Sequence, residues 1–274
     1  MSTGTCVIAI DAGTTGVRAR SVHLDGRAPE SEYQEFTQFF PEPGLVEHDV
    51  DEIWSAVVAT VNAVIERVGR DNIAAIGITN QRETVVAWSR TTGEPHGRAI
   101  VWQDRRTADE CAQLELDGLL PMVRERTGLV LDPYFSGTKF ARMLRDRSVA
   151  IDGDLALGTI DSWIIWKLTN GGVHVTDPTN ASRTMLYNIV EHRWDNDLCD
   201  ALNVPIGALP EVRPSSGRFG LTSGGSGIPD GIPISGVAGD QQAALFGQAC
   251  FDQGMAKNTY GTGSFVLLNV GTEC

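Results

Sequence analysis

A short loop near the amino terminus carries residue types that can bind phosphate. Residues 7–10 form a β-branched apolar run that ends in the carboxylate of Asp11, and a second alternating run covers residues 17–24. Between the runs lie Gly13, Thr14, Thr15 and Gly16, and the cation of Arg18 follows. Two strands joined by a glycine-bearing loop are typical of a β-hairpin.

The composition of this loop allows two interpretations. Glycines let backbone N–H groups approach a ligand, hydroxyls can donate to phosphate oxygens, and Asp11 could hold Mg²⁺ through water. An ordinary hairpin with a turn rich in glycine and threonine would show the same pattern. The hairpin alone does not separate these alternatives.

Two further predicted strands end in polar side chains. Residues 73–79 resemble a buried strand, and Asn80, Gln81, Arg82 and Glu83 follow it directly. Residues 232–240 resemble a strand that ends in glycine and Asp240, and a helix is predicted over residues 241–250. Ligands tend to bind at such strand ends in open α/β sheets.

The end of the chain repeats the plan of the opening hairpin. A strand is predicted over residues 256–260, a Gly/Thr loop over 261–264 and a second strand over 265–270. This repeat suggests a second phosphate-binding hairpin.

The remaining pattern alternates strands with helices. Further strands are predicted at residues 30–40, 84–88, 99–102, 155–160 and 184–187, and helices at residues 49–68, 105–120, 138–145 and 161–168. Residues 177–182 resemble a polar loop, and residues 215–231, rich in Gly and Ser, an exposed flexible loop. This order predicts an α/β layer in which helices pack on a mixed sheet.

Composition narrows the classes of partner. The formal charge is −13, from 35 acidic and 22 basic side chains, which argues against a nucleic acid or an anionic membrane. The five cysteines are odd in number and widely spaced, as expected of reduced thiols. Because no apolar run approaches bilayer length and the start lacks a leader pattern, we expect a soluble, cytoplasmic protein without membrane insertion.

Seven stretches, taken in order, resemble the glycerol kinase family of carbohydrate kinases, which share the ATPase fold of actin and hexokinase. They are residues 11–15 (DAGTT), 77–83 (GITNQRE), 99–105 (AIVWQDR), 132–139 (DPYFSGTK), 176–185, 239–247 (GDQQAALFG) and 257–263 (KNTYGTG). Each stretch alone is a weak signal, whereas seven in the family's order are specific. The resemblance covers essentially the whole chain and implies an actin/hexokinase-like, ribonuclease H-like α/β fold.

The resemblance implies a role for each loop in ATP-dependent phosphorylation of glycerol to glycerol 3-phosphate. Asp240 would be the general base for the attacking hydroxyl, although a helix cap is the commoner role of aspartate at such a position. Asp11 would hold Mg²⁺ through water. The ATP phosphates would lie between two loops, formed by Gly13, Thr14 and Thr15 and by Thr262 and Gly263. Arg18 would contact a phosphate or pair with an acidic neighbour.

The glycerol site would combine charged and aromatic side chains. Arg82 donates and Glu83 accepts, so together they could fix two hydroxyls with charge-assisted bonds. Tyr134 and Gln241 would add polar contacts beside Asp240. Trp102 and Phe265 would pack on the CH edge of the triol, with core packing as an equal alternative.

Members of the family close an active-site cleft between paired domains. The resemblance therefore implies an amino-terminal kinase domain at residues 1–250 and the first hairpin of a second domain at residues 251–274. A homo-oligomer is expected for the full-length protein. Two departures from the family pattern are Arg142, where a tryptophan is usual, and the loop at 224–231, which lacks a regulatory arginine.

Two alternative functions remain open from the sequence. One is a related kinase for a longer substrate, such as a pentulose or gluconate. The other is a non-catalytic polyol-binding fragment.

Overall fold

The computed structural model describes residues 5–261 and 263–272. The strands are β1 (Cys6–Ala12), β2 (Gly16–His23), β3 (Ser31–Glu35), β4 (Gln38–Phe39), β5 (Glu47–His48), β6 (Ile73–Asn80), β7 (Val85–Ser89), β8 (Ala99–Ile100), β9 (Leu155–Thr159), β10 (Val175–Thr176), β11 (Tyr187–Asn188), β12 (Arg193–Trp194), β13 (Glu211–Val212), β14 (Ser216–Leu221), β15 (Pro233–Gly239), β16 (Ala256–Tyr260) and β17 (Ser264–Leu268). The helices are α1 (Val50–Val68), α2 (Ala108–Leu116), α3 (Leu120–Thr127), α4 (Ser136–Asp146), α5 (Ile160–Leu168), α6 (Pro178–Ala181), α7 (Asn196–Ala201) and α8 (Asp240–Gly247).

The main sheet is mixed, as the sequence predicts. Its six strands run in the order β14-β15-β6-β1-β2-β3. The central strands β15, β6 and β1 are parallel, whereas β1–β2, β2–β3 and β14–β15 are antiparallel pairs. Alternate residues of β1, such as Ile8 and Ile10, are fully buried on one face, against which α1 packs.

Helix α1 has clear sequence signals at both ends. The Asp49 carboxylate accepts hydrogen bonds from the N–H groups of Asp51 and Glu52. Gly69, at φ +82°, ends the helix in a conformation that other residues rarely adopt. The periodic side chains between these ends are buried, so the predicted helix at 49–68 is confirmed.

The second sheet is antiparallel and joins two hydrophobic clusters. Its order is β4-β5-β8-β7-β9. In β7, Val86 and Trp88 belong to the cluster beneath the main sheet, and Val85 and Ala87 belong to the cluster around α4. Because both faces of β7 are covered, residues 85–88 are all apolar instead of alternating with polar residues.

Two predicted elements are each divided in the structure. The strand predicted at 30–40 is β3 and β4, which lie in different sheets, because buried Phe36 packs edge-on against His48 where the chain changes direction. The helix predicted at 105–120 is α2 alone, followed by α3, because Gly118 at φ +84° interrupts the helical backbone.

The prediction of an exposed flexible loop at 215–231 was wrong over its first half. Residues 216–221 form edge strand β14 against β15, and Phe219 is fully buried beneath it. Backbone pairing does not depend on large side chains, so the Gly/Ser composition concealed a strand. The predicted loop at 177–182 contains α6, and only Tyr187 of the strand predicted at 184–187 is extended and paired.

The fold brings three strand ends together. The pairing places Ala12 of β1 opposite Asn80 of β6, and Asn80 opposite Gly239 of β15. The segments that follow these strands therefore leave the sheet at one edge. Strands β16 and β17 form a separate two-stranded sheet against α8, and within residues 5–261 and 263–272 no helix is long and apolar enough to cross a membrane.

Candidate active site

A cavity of about 300 Å³ lies at this edge of the main sheet. Its lining residues are Asp11, Gly13, Thr14, Thr15, Arg82, Glu83, Trp102, Tyr134, Asp240, Gln241, Ala244, Thr259, Gly261, Gly263 and Phe265. Thus, apart from Arg18 and Thr262, the structure brings together the residues that the sequence analysis selected. Arg18 is not among the lining residues, and Thr262 lies outside the described residues.

The first hairpin loop is fixed by hydrogen bonds from both sides. The Gly13 N–H donates to the Gly16 carbonyl at 3.0 Å, so this N–H is used within the turn. Gln81 Nε2 donates to the Gly13 carbonyl at 2.8 Å, and Trp102 Nε1 donates to Thr14 Oγ1 at 3.0 Å. A rigid turn of this kind keeps its remaining donors in fixed positions, as binding of an anionic group requires.

The Asp11 carboxylate faces a crowded electrostatic environment. Its pKa is raised above the ordinary value, first by desolvation and then by repulsion from Asp240, while Arg18 acts in the opposite direction. Arg18 is the cross-strand neighbour of Asp11, and its guanidinium lies 4.9 Å from the centre of the Tyr33 ring. Repelling carboxylates at the mouth of a phosphate-type loop fit a divalent cation, whose charge would relieve that repulsion.

Asp240 begins α8 and faces the cavity. Its Oδ1 accepts hydrogen bonds from Arg82 Nε at 3.0 Å and from the N–H of Gln241 at 2.7 Å. The N-cap of the helix is Gly239, not Asp240, and the Asp240 side chain keeps 36% of its surface exposed. The carboxylate therefore supports the helix start while presenting an oxygen to the cavity.

Arg82 is held by several acceptors. Besides Asp240, it donates to Gln242 Oε1 at 3.3 Å and to the Tyr134 hydroxyl at 3.5 Å, and only 5% of its surface is exposed. Gly239 makes this packing possible, since a Cβ at that position would lie 2.5 Å from Arg82 Cδ. The guanidinium is therefore fixed before any ligand arrives.

Glu83 adopts a backbone conformation that is uncommon for a side-chain-bearing residue. Its φ is +64°, and only 1% of its surface is exposed. Arg183 Nε donates to Glu83 Oε1 at 2.7 Å. Residues in this region of backbone space cluster at functional sites, where the surrounding structure holds them in place.

Three aromatic rings form one wall of the cavity. Trp102 packs edge-on against Tyr134 at 5.7 Å and against Phe265 at 6.0 Å between ring centres. Trp102 and Phe265 are half-buried rather than fully buried, so each leaves ring surface for a ligand. Burial first, and the nearby Glu83 charge next, raise the pKa of Tyr134, which keeps its phenol a neutral donor.

Several residues that support the site were not selected from the sequence. Lys257 Nζ donates hydrogen bonds to Gln241 Oε1 and, at 2.6 Å, to Thr259 Oγ1. The bond to Gln241 connects the second hairpin to α8. Desolvation lowers the pKa of Lys257. Fully buried Lys139 donates to the Tyr134 carbonyl at 2.6 Å. Both lysines lie in stretches that carried the family resemblance, which was the available signal.

The departure at Arg142 does not disturb the site. Arg142 lies on α4, donates to Glu110 at 3.0 Å and pairs with Asp146 at 2.5 Å. These partners accommodate a charged side chain at a helix surface.

The mixed sheet with flanking helices, and the site at the ends of its central strands, define the actin/hexokinase class of sugar-kinase fold. The structure of Plasmodium falciparum glycerol kinase with ADP matches with a TM-score of 0.90 and 35% identity, over 96% of this chain and 54% of that one. Gluconate kinase from Lactobacillus acidophilus matches with a TM-score of 0.86 at 22% identity, over 95% of this chain and 53% of that one, which shows the fold alone.

Sequence comparison identifies the family. Residues 6–247 match the N-terminal domain of the FGGY family of carbohydrate kinases. Glycerol kinase of Aeromonas salmonicida is 55% identical over 273 residues, and that of Bacillus cereus strain AH187 is 52% identical over 273 residues. The chain belongs to the FGGY family of carbohydrate kinases, which confirms the family-level prediction.

The chain spans about half the length of these curated relatives. The alignments cover 97% of this chain and 54% of the Aeromonas protein or 55% of the Bacillus protein.

Proposed function

We propose that the protein transfers the γ-phosphoryl group of ATP to a primary hydroxyl of glycerol and so forms glycerol 3-phosphate. The observation that carries this proposal is the cavity at the ends of β1, β6 and β15, which combines a carboxylate base candidate with fixed donors and acceptors. Relatives that are more than half identical to the chain and are named glycerol kinases support the choice of substrate.

The charges of the cavity favour a neutral substrate. Asp11, Glu83 and Asp240 line it with carboxylates, and Arg82 is already paired with Asp240. A carboxylate on the ligand, as in gluconate, would be repelled by this set. A small polyol instead offers hydroxyls that donate to carboxylates and accept from a guanidinium.

In the proposed reaction, the chain's own side chains bind and orient the hydroxyl. Arg82 and Glu83 hold two hydroxyls of glycerol, with Tyr134 and Gln241 as further polar contacts and Trp102 and Phe265 against the carbon edge. Asp240 accepts the proton of the third hydroxyl as the new bond to phosphorus forms.

The two hairpin loops hold the phosphates in this proposal. Gly13, Thr14 and Thr15 would contact the phosphates from the first hairpin and Gly263 from the second, and a contact by Thr262, which lies outside the described residues, stays a prediction. Asp11 would hold Mg²⁺, which when bound would supply positive charge against the phosphate oxygens. A phosphate contact by Arg18 stays a prediction.

The cellular compartment of the protein is also part of this proposal. The free cysteines Cys6, Cys111, Cys199 and Cys250 agree with a reducing, cytoplasmic environment. The predicted domain boundary at residue 250 and a homo-oligomeric assembly remain predictions.

A substrate panel tests the proposed function. ADP release by the complete gene product would be measured with ATP, Mg²⁺ and, in turn, glycerol, xylulose and gluconate. We expect the highest kcat/KM with glycerol and the lowest with gluconate, because the carboxylates of Glu83 and Asp240 would repel the carboxylate of gluconate. A higher kcat/KM with xylulose or gluconate would assign the protein to another substrate class.

A further inference from the structure

The buried carboxylate of Glu83 needs a positively charged partner, and none of the residues given a role in the proposed reaction pairs with it. It lines the cavity, yet only 1% of its surface is exposed. A buried carboxylate is costly unless it is paired and hydrogen-bonded. In the described part of the chain, its ion-pair partner is Arg183, with Nε 2.7 Å from Glu83 Oε1.

Arg183 contacts the aromatic side of the site as well. Its guanidinium carbon lies 4.9 Å from the centre of the Phe135 ring and 5.7 Å from that of Tyr134. Contacts of a guanidinium with ring faces stabilise both groups when they are partly desolvated. One side chain therefore touches two lining residues, Glu83 and Tyr134, and the ring next to them.

The segment that presents Arg183 is well anchored. The Arg183 N–H donates to the Asn180 carbonyl at 3.0 Å, directly after α6. Asn180 exchanges side-chain hydrogen bonds of 3.0 and 3.1 Å with Asn80, at the end of β6. Arg183 thus reaches Glu83 from a segment that is itself fixed to the strand preceding Glu83.

The ion pair with Arg183 determines which Glu83 oxygen stays available to a ligand. Arg183 occupies Oε1 from outside the cavity lining, which leaves Oε2 to accept from the Tyr134 phenol or from a substrate hydroxyl. Without Arg183 the carboxylate would lose its charge partner and its fixed rotamer. It would then turn towards water.

We propose that Arg183 is a positioning residue that orients Glu83 and Tyr134 for polyol binding. This inference rests on the proposed function, because it assigns Arg183 a role at the same site. Arg183 acts through its two neighbours, so its removal weakens substrate binding more than it slows phosphoryl transfer.

The test compares Arg183→Met and Arg183→Lys with wild type in the complete gene product. Isothermal titration calorimetry gives the Kd for glycerol, and steady-state kinetics give KM for glycerol, KM for ATP and kcat. We expect Arg183→Met to raise the glycerol Kd and KM roughly 10-fold or more, as for loss of a charge-assisted hydrogen bond, with a smaller change in kcat and KM for ATP. Arg183→Lys keeps the charge and should retain part of the affinity.

A matched control and a double-mutant cycle separate positioning from general stability. Arg193→Met removes an exposed ion pair with Glu191 and should leave the glycerol Kd unchanged. Glu83→Gln combined with Arg183→Met should weaken binding by less than the product of the single effects, because the two residues act through one contact.

The outcomes distinguish this inference from the proposed function. If wild type binds glycerol and both Arg183 variants keep its affinity while their melting temperatures fall, Arg183 is only a structural ion pair and the inference is wrong. If Arg183→Met does not fold, Arg183→Lys with unchanged glycerol affinity would overturn it equally. If wild type binds no polyol, the proposed function fails and the inference falls with it.

Discussion

At the scale of single residues, the most specific chemical prediction concerns Asp240, the proposed general base. In the complete gene product, Asp240→Asn keeps the shape and an acceptor oxygen for Arg82 but loses the proton acceptor. We expect kcat to fall roughly 100-fold or more while glycerol binding is largely retained. Steady-state kinetics with calorimetry check this, and Asp252→Asn, at an exposed position, is the control. Near wild-type turnover would reduce Asp240 to a residue that supports the helix start.

A second residue-scale prediction concerns the pH dependence of stability. Asp161 is fully buried, and burial first and Asp177 next raise its pKa to about 7 from 3.8. The folded state therefore binds this proton more tightly than the unfolded chain does. The resulting stabilisation is complete below about pH 4 and is lost as the pH rises through about 7.

Replacement of Asp161 by the isosteric Asn removes this titration. We expect the free energy of unfolding of Asp161→Asn, relative to wild type, to increase from about pH 5 to about pH 8 because only wild type loses stability there. Urea denaturation at several pH values measures the difference. A difference that does not change with pH would show that Asp161 does not titrate in this range.

Sequence reasoning selected most residues that line the cavity but missed those that hold them. Arg82, Glu83 and Asp240 follow strands in recognisable stretches, so their position at a sheet edge could be predicted. Gln81 was noted only as a polar residue, and its bond to the Gly13 carbonyl joins residues far apart in sequence. Arg183 reaches Glu83 in the same way, and such pairings depend on tertiary packing that no local pattern encodes.

At the scale of elements, the end of β15 must approach Arg82 closely. A Cβ on Gly239 would lie 2.5 Å from Arg82 Cδ and 2.6 Å from Arg82 Cγ. We expect Gly239→Ala to destabilise the protein by about 1–3 kcal/mol, as for overpacking, and to weaken glycerol binding because Arg82 is displaced. Chemical denaturation and calorimetry measure the two effects.

The matched control for this substitution is Gly207→Ala. Its Cβ would meet no heavy atom within 4 Å, so neither stability nor affinity should change appreciably. Equal behaviour of the two variants would mean that Arg82 has room to move and that β15 does not fix its position.

Elements with strong local signals were predicted well, and elements set by pairing were not. Helix α1 has an aspartate cap, a regular apolar face and a terminating glycine, each readable from the sequence. Strand β14 has mostly small and polar residues, and it exists because β15 offers a backbone partner. The division between β3 and β4 follows from the packing of Phe36 against His48, residues that are distant in sequence.

At the scale of the whole molecule, the second hairpin receives the least structural support from neighbouring strands. Strands β16 and β17 pair only with each other within the described residues, and Val266, at 70% exposure, and Leu268, at 54%, face solvent. A two-stranded hairpin is marginal alone, and closure of two domains commonly aligns the transferred phosphate. We therefore expect purified 1–274 to be folded but not to turn over ATP.

Circular dichroism with thermal unfolding, and glycerol-dependent ADP release, test this expectation on the same sample. The complete gene product is the positive control for the assay. Turnover by 1–274 at a rate comparable to that of the complete gene product would contradict the expectation that ATP turnover needs more than these residues.

The proposed function requires that glycerol receive the phosphoryl group, and ³¹P NMR detects the product of that transfer. The complete gene product would be incubated with ATP, Mg²⁺ and glycerol, and the phosphorus resonances followed with time. We expect a phosphomonoester, glycerol 3-phosphate, and ADP to appear in equal amounts and neither to form without glycerol. Release of inorganic phosphate with no phosphomonoester, or no consumption of ATP at all, would contradict it.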